Sequence, residues 1–232
     1  MLAKPDWDPN VVCPQMKLLA VVLCGGQSKR MGQDKAQLDA GAGRSLLDVA
    51  VQRFEALATL LSSNESLFSI DKIILSVPYS TSITATPVLG SMLIEPLADP
   101  AVSNGPITGL LTVLRSAQQN GYDACILTPV DTPVLTTEAL HLLVNCYAAN
   151  PEQVLCVQRD DQSADSPWIE PLIAIYPVSV ITAINDAISQ SKFSMQRLCH
   201  SLSARTHQVP AAQCFNVNTP QDYDQISEKH ER

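Results

Sequence analysis

The chain has 232 residues, 46% of them hydrophobic and 16% charged, and its 15 Lys and Arg against 23 Asp and Glu leave a net charge of −8. An apolar fraction of that size excludes a disordered chain. The acidic balance, with no basic block, excludes a protein built to grip a nucleic-acid backbone. The length suits one α/β domain.

Residues 1–16 hold Pro5, Pro9 and Pro14 and no hydrophobic period, so they are read as a loose extension. Prolines and aspartates stand where a signal peptide needs an apolar core, and no apolar run reaches membrane-spanning length, so neither a secretory leader nor a membrane partner is expected. Residues 18–24, LLAVVLC, form a continuous apolar run that predicts a strand buried on both faces. A Gly-rich polar loop follows, and 45–61 carries a helical apolar stripe with Ser45 as cap and Asp48 three residues on. Strands are predicted at 72–77 and 91–95, with 78–90 irregular. A helix at 107–118 leads to a strand at 123–127, then a helix from Thr136 to Ala149. Strands at 153–158 and 172–176 flank a polar insert, 159–167. Helices are predicted at 178–189 and 194–202, and a last one from Thr219 with Pro220 at its first position.

Strands alternating with helices predict a Rossmann-like, three-layer α/β fold with a mostly parallel central sheet. No linker or repeat divides residues 17–232, which are read as a single domain. The seven cysteines, an odd number without C-x-x-C spacing and mostly in apolar runs, predict reduced thiols in a cytoplasmic protein. The four histidines are scattered and receive no role.

In open α/β sheets ligands gather outside the carboxyl ends of the strands. The loop after the first strand, from Gly25 to Lys35, holds Gly25, Gly26 and Gly32 together with Lys29, Arg30 and Lys35. Glycines let backbone N–H groups approach an anion, and Arg and Lys supply charge, so the loop reads as a polyphosphate cradle. Gln33 follows Gly32, which breaks the Walker pattern, and no G-x-G-x-x-G occurs.

The stretch Leu23-x-Gly25-Gly26-x-Ser28-x-Arg30-Met31-Gly32-x-Asp34-Lys35 resembles the signature loop of the nucleotidyltransferase superfamily, most closely that of the molybdenum cofactor guanylyltransferases. Four later segments are similar to motifs of that family, in the same order. They are Gly105-Pro106-Ile107-Thr108-Gly109, Thr128-Pro129-Val130-Asp131-Thr132-Pro133, Glu170-Pro171-Leu172 through Tyr176, and Asn216-Val217-Asn218-Thr219-Pro220. Cys24 replaces the usual Ala. Pro96 follows Ile94-Glu95 where the family carries Asp, so either Asp99, three residues later, takes that place or the nucleotide contact is altered.

The resemblance implies transfer of GMP from GTP to the phosphate of molybdenum-loaded molybdopterin, with release of pyrophosphate and with Mg²⁺ as cofactor. It implies catalytic roles for Lys35, Arg30 and Asp131, with Asp131 also holding the metal. Nucleotide contacts fall on Leu23, Cys24, Gly25, Gly26, Lys35, Asp99, Gly105 and Asp131, and acceptor contacts on Asn216 and Asn218. Lys192 and Arg197 are open between the acceptor phosphate and a solvated helix surface. Molybdenum cofactor carriers or recipient enzymes are the implied protein partners. Three alternatives remain: a cytidylyltransferase of the same superfamily, a sugar-phosphate or isoprenoid nucleotidyltransferase, and a non-catalytic nucleotide-binding module. The Asn216-Val217-Asn218 segment speaks against the second, and the altered Ile94-Glu95-Pro96 region motivates the third.

Overall fold

The computed structural model describes residues 15–25, 35–41, 43–63, 66–79, 92–160, 168–218 and 222. Strand β1, Met16–Leu23, is an interior strand of an eight-stranded sheet. Its side chains alternate between two cores. Leu18, Ala20 and Val22 face helices α1 (Leu46–Ser63) and α3 (Thr137–Tyr147). Leu19 and Val21 face α2 (Pro106–Gln119), α4 (Ile181–Ser189) and α5 (Met195–Ser201). Burial on both faces is why the strand reads as an unbroken apolar run.

Beyond β2, a two-residue strand Phe68–Ser69 that pairs with the start of β1, the remaining strands are β3 (Lys72–Val77), β4 (Leu93–Ala98), β5 (Ala124–Pro129), β6 (Leu155–Asp160), β7 (Ile169–Pro177) and β8 (Arg205–Pro210). The order across the sheet is β4-β3-β1-β5-β7-β6-β8. Among the described strands β7 alone runs against its neighbours, so the expectation of a mostly parallel three-layer α/β sheet holds.

Local capping explains the helix starts. The Ser45 N–H donates to Asp48 Oδ2 at 2.8 Å while the Asp48 N–H donates to Ser45 Oγ at 3.1 Å, a reciprocal box that begins α1. The Thr136 hydroxyl accepts from the Ala139 N–H at 3.2 Å to begin α3. Pro106 occupies the first turn of α2, where its missing N–H costs nothing.

Four expectations need correction. The strand expected at 91–95 is β4, shifted to Leu93–Ala98 and carrying Pro96 in its middle. A proline is tolerated there because β4 is the outermost of the described strands, where one side of the backbone needs no strand partner. The helix expected at 178–189 opens with a 3₁₀ turn, Val178–Val180, before α4 begins. The insert 159–167 is shorter, since β6 runs to Asp160 and β7 starts at Ile169. Strand β8 was not expected at all. The last helix predicted from Thr219 lies outside the described residues apart from Asp222, which accepts the Asn218 N–H at 2.9 Å. Among the described residues no helix is long and apolar enough to cross a membrane.

Candidate active site

β3 and β4 lie to one side of β1 and β5 to the other, so the connections diverge beside β1 and open a crevice at its carboxyl end. A cavity of about 680 Å³ occupies that place. Leu23 and Gly25 approach it from β1, Ser76 from β3, Asp99 from the end of β4, Gly105 and Gly109 from the start of α2, and Leu172 from β7. Four of the expected site residues, Leu23, Gly25, Asp99 and Gly105, therefore meet in one cavity. Cys24 is held differently. Its N–H donates to the Ser76 carbonyl at 2.8 Å, and its side chain packs with the core on the α1 face.

Two glycines shape the wall. Gly105 caps α2 with φ at +82°, a conformation that strains any other residue. Gly109 lies beneath Asp99: a Cβ placed on it would come within 3.2 Å of Asp99 Oδ1 and 3.4 Å of Ser76 Oγ. The backbone of Asp99 is fixed by its N–H to the Val77 carbonyl at 2.8 Å, and the Ser76 hydroxyl stands 3.5 Å from its Oδ1. Burial pushes the Asp99 carboxyl above the usual carboxylate range, and the Ser76 hydroxyl partly offsets this.

Asp131 lies one strand further along, just past β5. The Val130 N–H bonds the Leu23 carbonyl at 3.1 Å, tying this turn to β1. The Asp131 carbonyl accepts the Val217 N–H at 2.9 Å. Val217 is fully buried while Asn216 is half-buried and Asn218 exposed. The segment expected to serve an acceptor is thus docked on the turn that carries the expected metal ligand, although 85 residues separate Asp131 from Asn216 in the chain.

Three groups went unassigned in the sequence. Glu170, at the start of β7, forms an ion pair with Arg159 of β6. Burial raises the Glu170 carboxyl, the guanidinium of Arg159 counters, and the charge of Asp131 adds a further upward push. Glu170 stood in a quoted motif without a role. Arg159 carried no signal, because the hairpin that pairs it with Glu170 is a tertiary feature. Ser76 was hidden in an apolar strand for the same reason.

Arg30 and Gly26 lie outside the described residues, as does the side chain of Lys35. The backbone at Lys35 begins a short 3₁₀ turn, Lys35–Gln37, which packs on α1. Lys192 donates to Gln190 Oε1 at 2.7 Å, and Arg197 sits in the first turn of α5 with its side chain exposed. Both fit the solvated reading better than a place in the cavity, which neither lines. Among the described residues no three His, Cys, Asp or Glu side chains gather in a metal-binding group.

The chain is 30% identical over 205 residues to a probable molybdenum cofactor guanylyltransferase of Rhodopirellula baltica, covering 88% of this chain and 89% of that one. It is 26% identical over 215 residues to a molybdenum cofactor guanylyltransferase of Syntrophotalea carbinolica, at 88% coverage of both. In fold it is similar to molybdopterin-guanine dinucleotide biosynthesis protein A of Archaeoglobus fulgidus, with a TM-score of 0.65, 20% identity, and 92% and 99% of the two chains covered. A comparable likeness, TM-score 0.63 at 13% identity, joins it to 2-C-methyl-D-erythritol 4-phosphate cytidylyltransferase of Thermus thermophilus, covering 94% of this chain and all of that one. The family described as the MobA-like NTP transferase domain matches residues 20–208. With its glycine-walled cavity beside β1 and the Asp131 turn next to it, this chain belongs to the MobA-like NTP transferase family.

Proposed function

We propose that the protein transfers GMP from GTP to the phosphate of molybdenum-loaded molybdopterin, releasing pyrophosphate and forming the guanine dinucleotide of the cofactor. The observation that carries this is the bond between the Val217 N–H and the Asp131 carbonyl. It joins the proposed acceptor segment to the proposed metal-holding turn, one strand from the nucleotide-sized cavity. The names of the relatives supply the guanine and the molybdopterin; the cavity supports a nucleotide.

In this reading the nucleotide lies across Leu23, Cys24, Gly25, Gly26 and Gly105, with Asp99 accepting from donors on the base. Lys35 and Arg30 face the phosphates. Transfer needs the acceptor phosphate in line with the α-phosphorus, so the protein acts by positioning and by stabilising charge on non-bridging and leaving oxygens. No protein nucleophile takes part. Asn216 and Asn218 bind the acceptor.

The donor chemistry fits Mg²⁺. That ion keeps several waters and takes one or two carboxylates together with substrate phosphates. Asp131, just past β5 and beside the cavity-bearing end of β1, is such a carboxylate. Asp131 would hold the ion, and the ion when bound would neutralise charge on the phosphates.

Incubation with Mg²⁺, molybdenum-loaded molybdopterin and each of GTP, CTP, ATP and UTP is expected to yield pyrophosphate and a dinucleotide with GTP alone. Turnover with CTP and none with GTP moves the protein to the cytidylyltransferase branch. GTP binding with no pyrophosphate makes it a binding module.

A second expectation concerns Gly109. Alanine in a helix interior is favoured over glycine by ~1 kcal/mol, but here its Cβ presses on Asp99. Gly109→Ala is expected to leave the melting temperature unchanged or slightly higher while weakening GTP binding several-fold. Calorimetric titration with GTP checks this; wild-type affinity removes Asp99 from the nucleotide site.

A further inference from the structure

Arg53 stands in the middle of α1 and is only 5% exposed. Its neighbours on the buried face are apolar, among them Ala50, Phe54 and Leu57. Desolvating a guanidinium is costly, and burial lowers its pKa to about 10, which still leaves it charged at neutral pH. A leucine or methionine would fill this place without that cost. Arg53 Nη2 donates to the Thr132 carbonyl at 2.8 Å, across 79 positions of sequence.

That carbonyl belongs to the residue directly after Asp131, and the turn around it is tied at successive points. The Val130 N–H bonds the Leu23 carbonyl on β1. The Asp131 carbonyl takes the Val217 N–H. The Thr132 carbonyl takes Arg53 and, at 3.3 Å, the Leu135 N–H, while the Thr132 hydroxyl donates to the Pro129 carbonyl at 2.9 Å. Thr132 is itself fully buried. β1, the Asn216-Val217-Asn218 segment and α1 thus each hold one residue of the sequence Val130-Asp131-Thr132. Of these three ties from other elements, the bond from α1 is made by a side chain and the other two by backbone.

We infer that Arg53 is a positioning residue, fixing the Thr132 carbonyl and through it the direction in which Asp131 presents its carboxylate to a divalent cation. The inference rests on the metal-holding role proposed for Asp131. It explains why a charge is kept in the α1 core: the hydrogen bond of a charged donor is strong, and Nη2 directs it at the Thr132 carbonyl.

The test uses the whole chain with GTP and Mn²⁺ as the probe. Mn²⁺ affinity is read by electron paramagnetic resonance, without turnover, and thermal melting is recorded beside it. Arg53→Met keeps most of the volume and removes the donor. It is expected to weaken Mn²⁺ binding ~10–100-fold, the scale for losing a group that orients a metal ligand. Arg53→Lys keeps a single donor and is expected to fall between wild type and Arg53→Met. Should Arg53→Met fail to fold, Arg53→Lys decides alone: weakened Mn²⁺ binding in a folded protein supports the inference, and wild-type binding overturns it. An Asp131→Ala control separates the two levels. If it binds Mn²⁺ like wild type, the role of Asp131 and this inference both fall. If it is defective while Arg53→Met binds Mn²⁺ normally and only melts earlier, Arg53 is a packing residue and this inference alone is overturned.

Discussion

Replacing Asp131 by alanine is expected to slow GMP transfer ~10²–10³-fold, the usual scale for removing one electrostatic contact to a developing charge. The side chain sits on a turn whose backbone is tied at Val130, Asp131 and Thr132. The Val130 N–H, the Asp131 carbonyl and the Thr132 carbonyl all keep their partners when the carboxylate is gone. The loss should therefore appear in rate and metal affinity, with thermal melting recorded beside them. Glu170 does not replace the lost carboxylate, because its charge is already taken by Arg159. Asp131→Asn keeps the shape without the charge and should fall in the same range. Pyrophosphate release at saturating GTP and Mg²⁺ measures the effect; an undiminished rate removes Asp131 from the reaction.

Lys35→Ala is expected to cost a similar factor, ~10²–10³-fold, for the opposite sign of charge. The protein carries a net charge of −8, yet Lys29, Arg30 and Lys35 fall within eleven residues of one loop. A polyanion bound elsewhere on this surface meets repulsion, so the cations of this loop must supply the attraction locally. A lysine serving only to bind substrate would raise the KM for GTP and spare kcat. One that stabilises the transition state lowers kcat and kcat/KM together. The second pattern is expected, and steady-state kinetics with varied GTP distinguish them.

Much of this arrangement was legible in the chain because its signals are local. The double-faced apolar run of β1, the Ser45–Asp48 box, Pro106 at the head of α2 and the Thr136 cap each act within a few residues. Strand β8 had no such signal. Its sequence, RTHQVP, buries only Val209, and the strand is held by pairing with β6 along all six residues. Strand β4 was misplaced because Pro96 argues against a strand until its position at the sheet edge is known. The site divides in the same way. Asp99 could be proposed by its offset from Ile94-Glu95, and it does reach the cavity. Ser76, Glu170 and Arg53 could not, since each matters through a partner brought by the fold, at 79 positions' distance for Arg53.

Pro96, the residue that broke the motif, has an effect on how molecules of this protein meet one another. It pairs in register with Leu75 on the inner side of β4, and a proline fits an outermost strand only with its nitrogen turned outward. The outer rim at that point offers no N–H to an incoming chain. Strand β8, at the opposite rim, closes with Pro210 and alternates charged or polar Arg205, Thr206, His207 and Gln208 before it. Exposed strand edges are where folded domains recruit further strands and precipitate, and prolines and polar side chains blunt them. Among the described strands both margins of this sheet are thus poor templates for growth.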